Sequence, residues 1–236
     1  MIIRGNKNGF GNDSHCKLLL HCNGTNGSTT FTDSEAGGSA KTITANGNAQ
    51  ISTAQSKFGG ASGSFNGNAT SYLSIPDDAD FDFGAGDFTI DLWTYLTEAN
   101  RMQALICKGD SSATDYSHGE FYLVVGSDNK VSFDLCINGN NHAAAIDTAT
   151  LSINNWHHLA VVRYGADLYL FVDGIKKATG NASTLSVNNI GVGVKFSRYG
   201  DWNGGNRSIN GYIDEVRVSK GIARWKSNFV IPNRAY

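Results

Sequence analysis

Apolar residues recur along this chain with the two-residue period of β-strands rather than with a helical period. The clearest stretch is 156–174, WHHLAVVRYGADLYLFVDG. Its two runs, Trp156–Tyr164 and Asp167–Asp173, are rich in β-branched, aromatic and aliphatic residues, and Gly165-Ala166 separates them. A glycine leading a two-residue loop supplies the positive φ of a type II′ turn, whose twist matches that of the flanking strands. In the second run Leu168, Leu170 and Val172 share one face, and Tyr169, Phe171 and Asp173 the other. The spacing predicts a long antiparallel hairpin, apolar on both faces and so placed inside a sheet and covered on at least one side. Asp173-Gly174 reads as the turn that ends it.

The same patterning predicts short strands at 17–22, 49–53, 61–65 and 72–75 in a Gly/Ser/Thr/Asn-rich first half. Strands then follow closely at 87–96, 103–109, 119–126, 130–137, 143–149, 156–164, 167–173, 185–196 and 208–218. Such a series, divided by Gly, Asn, Ser and Asp turns, predicts an all-β jelly-roll sandwich of two antiparallel sheets. Residues 1–14 form a polar arm and 15–236 one domain. The tail 220–236, with Ile222, Trp225, Phe229 and Ile231, straps back over the body. In an up-and-down chain, alternate loops share a rim. That parity puts 110–118, 138–142, 165–166 and 197–207 on one rim, and 97–102, 127–129, 150–155 and 174–184 on the other.

Composition narrows the function. The net charge is −2 and the pI near 6.3, so there is no basic footprint for nucleic acid, and no apolar run is long enough for a membrane span. The start, MIIRGNKNGFGNDSH, lacks a charged-then-apolar signal pattern, so no secretory export is expected and the six Asn-x-Ser/Thr sequons read as chance. Cys16, Cys22, Cys107 and Cys136 lie in apolar runs and read as free buried thiols. His15-Cys16 and His21-Cys22 lie too far apart along an extended strand to share a zinc ion. Asp78, Asp80 and Asp82 begin an EF-hand-like pattern, but Phe83 and Thr89 stand where its glycine and bidentate glutamate belong. His157 and His158 are adjacent and point to opposite faces.

Three motifs, in order, carry a resemblance: Phe88-Thr89-Ile90-Asp91-Leu92-Trp93; Trp156-x-x-Leu-Ala-Val-Val-Arg with Leu168-x-Leu-x-Val-Asp-Gly; and Gly211-Tyr-Ile-Asp-Glu-Val-Arg-Val-Ser219. They resemble the laminin-G-like members of the concanavalin A-like lectin/glucanase superfamily. The opening, with Leu19-Leu20-His21, Phe58-Gly59, Phe65-Asn66-Gly67 and Tyr72-Leu73-Ser74-Ile75-Pro76, resembles the family's own, and its start without a leader, its Gly/Ser/Asn-rich first half and Leu19-Leu20-His21 resemble phage-encoded members. The resemblance implies a jelly-roll sandwich and a place on a virion surface, on tail or capsid exterior. It also implies a structural calcium on Asp214, with Asn23 and turn carbonyls near Thr25 as further ligands; pairing of Asp214 with Arg217, Arg163 or backbone amides is the alternative. The superfamily's glucanases carry Glu-x-Asp-x-x-Glu. Only Glu35, Glu98, Glu120 and Glu215 occur here, and none begins such a motif.

For ligand binding, the loop 195–207, KFSRYGDWNGGNR, sets Tyr199 and Trp202 among Arg198, Asp201 and Arg207. Aromatic rings with a few polar groups suit sugars. Tyr116, His118 and His142 join them if the rim parity holds. The leading expectation is a non-catalytic virion module that binds a glycan or host-cell surface, its avidity raised by multiple copies or a homo-oligomer. The alternatives are a purely structural decoration protein docked on neighbouring virion subunits through its arm, and a glycosidase.

Overall fold

A computed structural model describes residues 11–109, 119–139, 141–198 and 207–236. Among them the strands are β1 (Cys16–Leu20), β2 (Thr44–Asn46), β3 (Gln50–Ser52), β4 (Ser62–Asn66), β5 (Tyr72–Ile75), β6 (Phe88–Leu96), β7 (Gln103–Gly109) and β8 (Gly119–Val125). They continue with β9 (Lys130–Ile137), β10 (Asn141–Thr150), β11 (Trp156–Tyr164), β12 (Asp167–Val172), β13 (Ile175–Asn181), β14 (Val194–Phe196) and β15 (Asn210–Lys220). One 3-10 turn, Ala79–Phe81, is the helical element of the described residues.

All pairings are antiparallel. The first sheet runs β13, β12, β11, β6, β15, β4, β3, with β1 also paired to β15; the second runs β10, β9, β8, β7, β14, β5, β2. The core lies between them. Leu168, Leu170 and Val172 are at most 6% exposed and pack with Leu159, Val161, Ile90, Leu92, Phe121 and Phe133. Hence the period-two hairpin is the spine the patterning predicts. Gly165 has φ +57 while Ala166 is not left-handed, as a type II′ turn requires.

The other face of that hairpin is covered by the tail. Trp225 and Phe229 stack at 4.0 Å and lie on Ala160, Val162, Tyr169 and Phe171. Residues 11–14, assigned to the arm from sequence, are bound to the body. Asn12 exchanges bonds with Ser34 and Ala36, and Asp13 pairs with Arg224 at 2.9 Å. The four cysteines are buried and unpaired.

Three strand readings differ from the structure, and one changes the site; β2 at Thr44–Asn46 lies where no strand is expected. The segment 174–184, read as a loop, holds β13, and most of 185–196, read as a strand, is irregular apart from β14. The hydrophobic pattern does not signal β13 because IKKATGN is polar and alternates exposed with half-buried positions, as an edge strand does. Asp173-Gly174, φ +50 and +77, is a type I′ hairpin turn joining β12 to it. This extra crossing reverses the loop parity beyond it. Calling the end where β6 finishes at Leu96 the first rim, β14 pairs with β7 so that it runs toward that rim. Arg198 and Arg207 therefore flank their loop at the first rim, whereas His142, paired with Cys136, lies at the second. The strands flanking 110–118, 138–142 and 165–166 do end at one rim, as expected, but those flanking 197–207 end at the other.

Candidate functional site

Of the residues expected to bind ligand, Tyr116, His118, Tyr199, Asp201 and Trp202 lie outside the described residues. Arg198 lies over the Tyr72 ring at 4.6 Å and donates to the Ala69 carbonyl at 3.2 Å. The Arg207 carbonyl accepts from Ala104 N–H at 2.7 Å. His142 is exposed on β10, and its charge opposes the upward shift that burial imposes on Asp134. Of the three described, Arg198 and Arg207 lie at one rim, both next to β7, and His142 lies at the other.

A different cluster converges. On the outer face of the first sheet, Trp156 of β11 stands opposite Tyr95 of β6, which stands opposite Tyr212 of β15. All three are half-buried, and their indole N–H and hydroxyls bond to no described side chain. The Tyr95 centroid is 5.7 Å from Trp156 and 5.9 Å from Tyr212, with ring planes inclined at 57° and 72°. Each side chain leaves this face because Leu96, Leu159 and Ile213 on the same strands turn into the core. Gly211 permits the close approach of β15 to β6: a Cβ there would meet the Tyr95 carbonyl oxygen at 2.1 Å. The row continues through Ser64 of β4, opposite Tyr212, and Gln50 of β3, opposite Ser64.

Polar groups border the row on the rim side. Glu98 accepts from Arg101 at 2.8 Å and from Asn210 Nδ2 at 3.1 Å, and Thr97 Oγ1 donates to the Asn210 carbonyl at 3.0 Å. On the opposite side the floor closes. Trp93 is 1% exposed beneath Phe58 and the Lys57 ammonium, which sits 3.9 Å from its ring. His158 is buried under Trp225 and Phe229. What remains open is a strip of three aromatic faces and two small polar side chains, able to stack on apolar C–H faces and to exchange hydrogen bonds with hydroxyls. The sequence held a weak signal for it: each ring occupies the polar phase of a strand whose other phase is core. Its significance stayed hidden because the strands that align the rings are far apart in the chain.

The residues named for calcium adjoin the closed side. A bulge at Glu215, φ +47, turns Asp214, Glu215 and Arg217 all outward while Ile213, Val216 and Val218 face the core. Asp214 Oδ2 accepts from the N–H groups of Lys57 and Phe58 at 2.9 and 3.1 Å, and Oδ1 from Glu215 N–H at 2.9 Å. Burial pushes its pKa up to about 7, against the pull of those N–H bonds. The Asn23 amide lies against Gly59. Glu215, the next carboxylate, is held by His21 at 2.8 Å and by Tyr236 N–H at 3.0 Å. Among the described residues no group of three or more His, Cys, Asp or Glu is placed to hold a metal ion. One carboxylate ringed by N–H donors, one amide and the Thr25 carbonyl, which accepts from Ser28 N–H at 3.0 Å, do not fit an ion that takes six to eight oxygens. Calcium added to EDTA-treated protein should therefore leave the melting temperature unchanged to within about 1 °C by differential scanning fluorimetry. A rise of several degrees would show that the ion displaces those N–H groups.

The family model described as Laminin_G_3, concanavalin A-like lectin/glucanases superfamily, matches residues 66–224. Among solved structures, the binding domain of Paraclostridial Mosquitocidal Protein 1 is similar over 88% of this chain and 49% of its own, at 16% identity and TM-score 0.66. The binding domain of botulinum neurotoxin serotype G is similar over 87% of this chain and 48% of its own, at 13% identity and TM-score 0.64. The chain thus spans about half the length of these two structures. Domain 4 of AbnA, an extracellular arabinanase of Geobacillus stearothermophilus solved with arabinotriose, is similar over 89% of this chain and 95% of its own, at 16% identity and TM-score 0.63. No curated protein matches by sequence. Likeness at these identities shows the fold.

Proposed function

The chain belongs to the Laminin_G_3 family of the concanavalin A-like lectin/glucanases superfamily, and on that footing we propose that it is a non-catalytic module that binds carbohydrate on the Trp156–Tyr95–Tyr212 row. The row is the observation that carries this reading. Three rings fixed by strand register, with unspent polar tips, form a surface already ordered before a ligand arrives, so little ordering cost falls on binding. The similar domain solved with arabinotriose gives a precedent for sugar on this fold.

Non-catalytic character is supported by the commitments of the glutamates. Glu98 is held by Arg101, Glu120 by Lys108 and Glu215 by His21, and Glu35 accepts from Gly37 N–H. No pair of them is left facing an open site as glycoside hydrolysis requires. Affinity electrophoresis through gels holding arabinan, xylan, laminarin or dextran tests the reading. At least one polymer should retard the protein, and Trp156→Ala and Tyr212→Ala should each weaken retardation about tenfold, with circular dichroism unchanged. Retardation equal in wild type and both variants would remove the row from the function.

The finer placement, on a virion surface with the N-terminal arm against a neighbouring subunit, rests on the sequence resemblance. Under it, protein lacking residues 1–10 should no longer attach to particles yet still bind sugar.

A further inference from the structure

We propose, resting on the carbohydrate-binding reading above, that the ligand is a single soluble neutral glycan chain laid across the strands, three consecutive sugar units meeting Trp156, Tyr95 and Tyr212 and the next meeting Ser64 and Gln50. The closed neighbours of the row set the direction. A chain running along β6 from Tyr95 would meet Trp93, roofed by Lys57 and Phe58. Along β11 it would meet His158 beneath Trp225 and Phe229. Along β15 it would meet Asp214, already capped by the Lys57 and Phe58 N–H groups. Only the cross-strand track stays open, from β11 through β6, β15 and β4 to β3.

Register gives this track its repeat. Trp156, Tyr95, Tyr212, Ser64 and Gln50 are successive cross-strand partners on one face. Adjacent strands lie ~4.8 Å apart, close to the advance of one sugar unit along an extended chain. The strip is therefore spaced to offer one side chain per sugar. Aromatic groups come first and hydroxyl or amide groups last. Gln50 is exposed, Ser64 half-buried, and neither side chain is bonded to a described residue.

Ring inclination excludes one ligand class. Planes tilted at 57° and 72° to one another cannot all lie flat on a crystalline polysaccharide. A single chain that rotates from unit to unit can present a face to each ring in turn. None of the five side chains is charged, so neutral pentoses or hexoses fit better than uronates.

The test is isothermal titration calorimetry with xylo-, arabino-, laminari- and chito-oligosaccharides of one to five units. In at least one series, affinity should rise about threefold or more with each unit up to three. The pentasaccharide should bind more tightly still. Ser64→Ala and Gln50→Ala should remove the gain from three to five units and leave trisaccharide affinity intact. Microcrystalline cellulose should retain no protein. A trisaccharide binding no better than its monosaccharide, equal losses for every length in Gln50→Ala, or retention on the crystalline polymer would each overturn the track while leaving sugar binding in place. Absence of retardation by every polymer in the electrophoresis test would instead remove the reading on which it rests.

Discussion

Replacing Asp91 by Ala should cost about 3–5 kcal/mol of folding stability at pH 7 in urea denaturation, among the largest effects of any polar substitution in the protein. The carboxylate lies under the tail at 0% exposure. It accepts from Arg217 at 3.0 and 3.2 Å and from the Tyr236 hydroxyl, and His158 Nε2 lies 3.5 Å away. Arg217 in turn is sandwiched against the Tyr236 ring at 3.7 Å. Removing Asp91 leaves the guanidinium buried without its counter-charge, and removing Arg217 strands the carboxylate. Each single change should therefore be severe, whereas Asp91→Leu with Arg217→Met should cost less than either, because no unpaired charge remains. Single variants that lose under about 1 kcal/mol would sink this account.

The pair also sets an acid limit. Burial alone would raise the Asp91 pKa, but Arg217 and His158 together hold it down to about 2 from an ordinary 3.8. A depressed carboxylate stabilises the fold above its unfolded value, and that contribution is lost as pH falls from about 4 through 2. Asp214 and His21 work in the other direction. Asp214 is raised from 3.8 to about 7 by burial, and His21 is raised by its bond to Glu215. Groups raised on folding bind protons more tightly when folded, so their contribution is present at low pH and fades as pH climbs through the raised values. Stability measured against pH should peak at about 4, where the Asp91 contribution is nearly complete and the loss through Asp214, which runs from its unfolded 3.8 to about 7, is only starting.

Lys108→Met should also cost about 3–5 kcal/mol at pH 8. The Lys108 ammonium, 0% exposed, sits among three carboxylates: Glu120 at 2.7 Å, Asp82 at 2.8 Å and Asp77 at 3.2 Å. Around it Asp82 accepts from Asn189 and Glu120 from Ile190 N–H, so one cation ties the segment 77–82, β7, β8 and the segment after β13 together. Without it, mutual repulsion adds to the burial that already raises the Glu120 pKa above its usual 4.5. The variant's folded state then binds protons still more tightly than its unfolded state. Its deficit should shrink as pH is lowered from 8 to 5, read as converging melting temperatures. Hydrogen exchange should quicken first at 77–82 and 188–191. A deficit that is constant with pH would show that the carboxylates do not repel as the geometry requires.

Particular residues show how far the sequence could be read. Leu168, Leu170 and Val172 announced the core by alternation, and Gly165 announced its turn. Trp225 and Phe229 were legible as a strap because large apolar residues in a polar tail must find cover. The loop around Trp202 drew attention because it gathered aromatic and charged residues in one short stretch. The row of Trp156, Tyr95 and Tyr212 did not, since each ring is isolated in sequence and indistinguishable from a core aromatic until the opposite phase is seen to fill the interior.

What the sequence alone determined is local and periodic: which residues point inward along each strand, where glycine-led turns must fall, and that two layers bury one core. These follow from steric limits on φ and from the exclusion of apolar side chains from water, which act over a few residues at a time. The tertiary structure decided everything that depends on counting strands and aligning them. The polar edge strand β13 reversed the rims and separated His142 from Arg198, while the register of β11, β6 and β15 brought three distant rings onto one face. Register and strand order are set by the summed packing of both sheets, a quantity no single stretch of the chain contains.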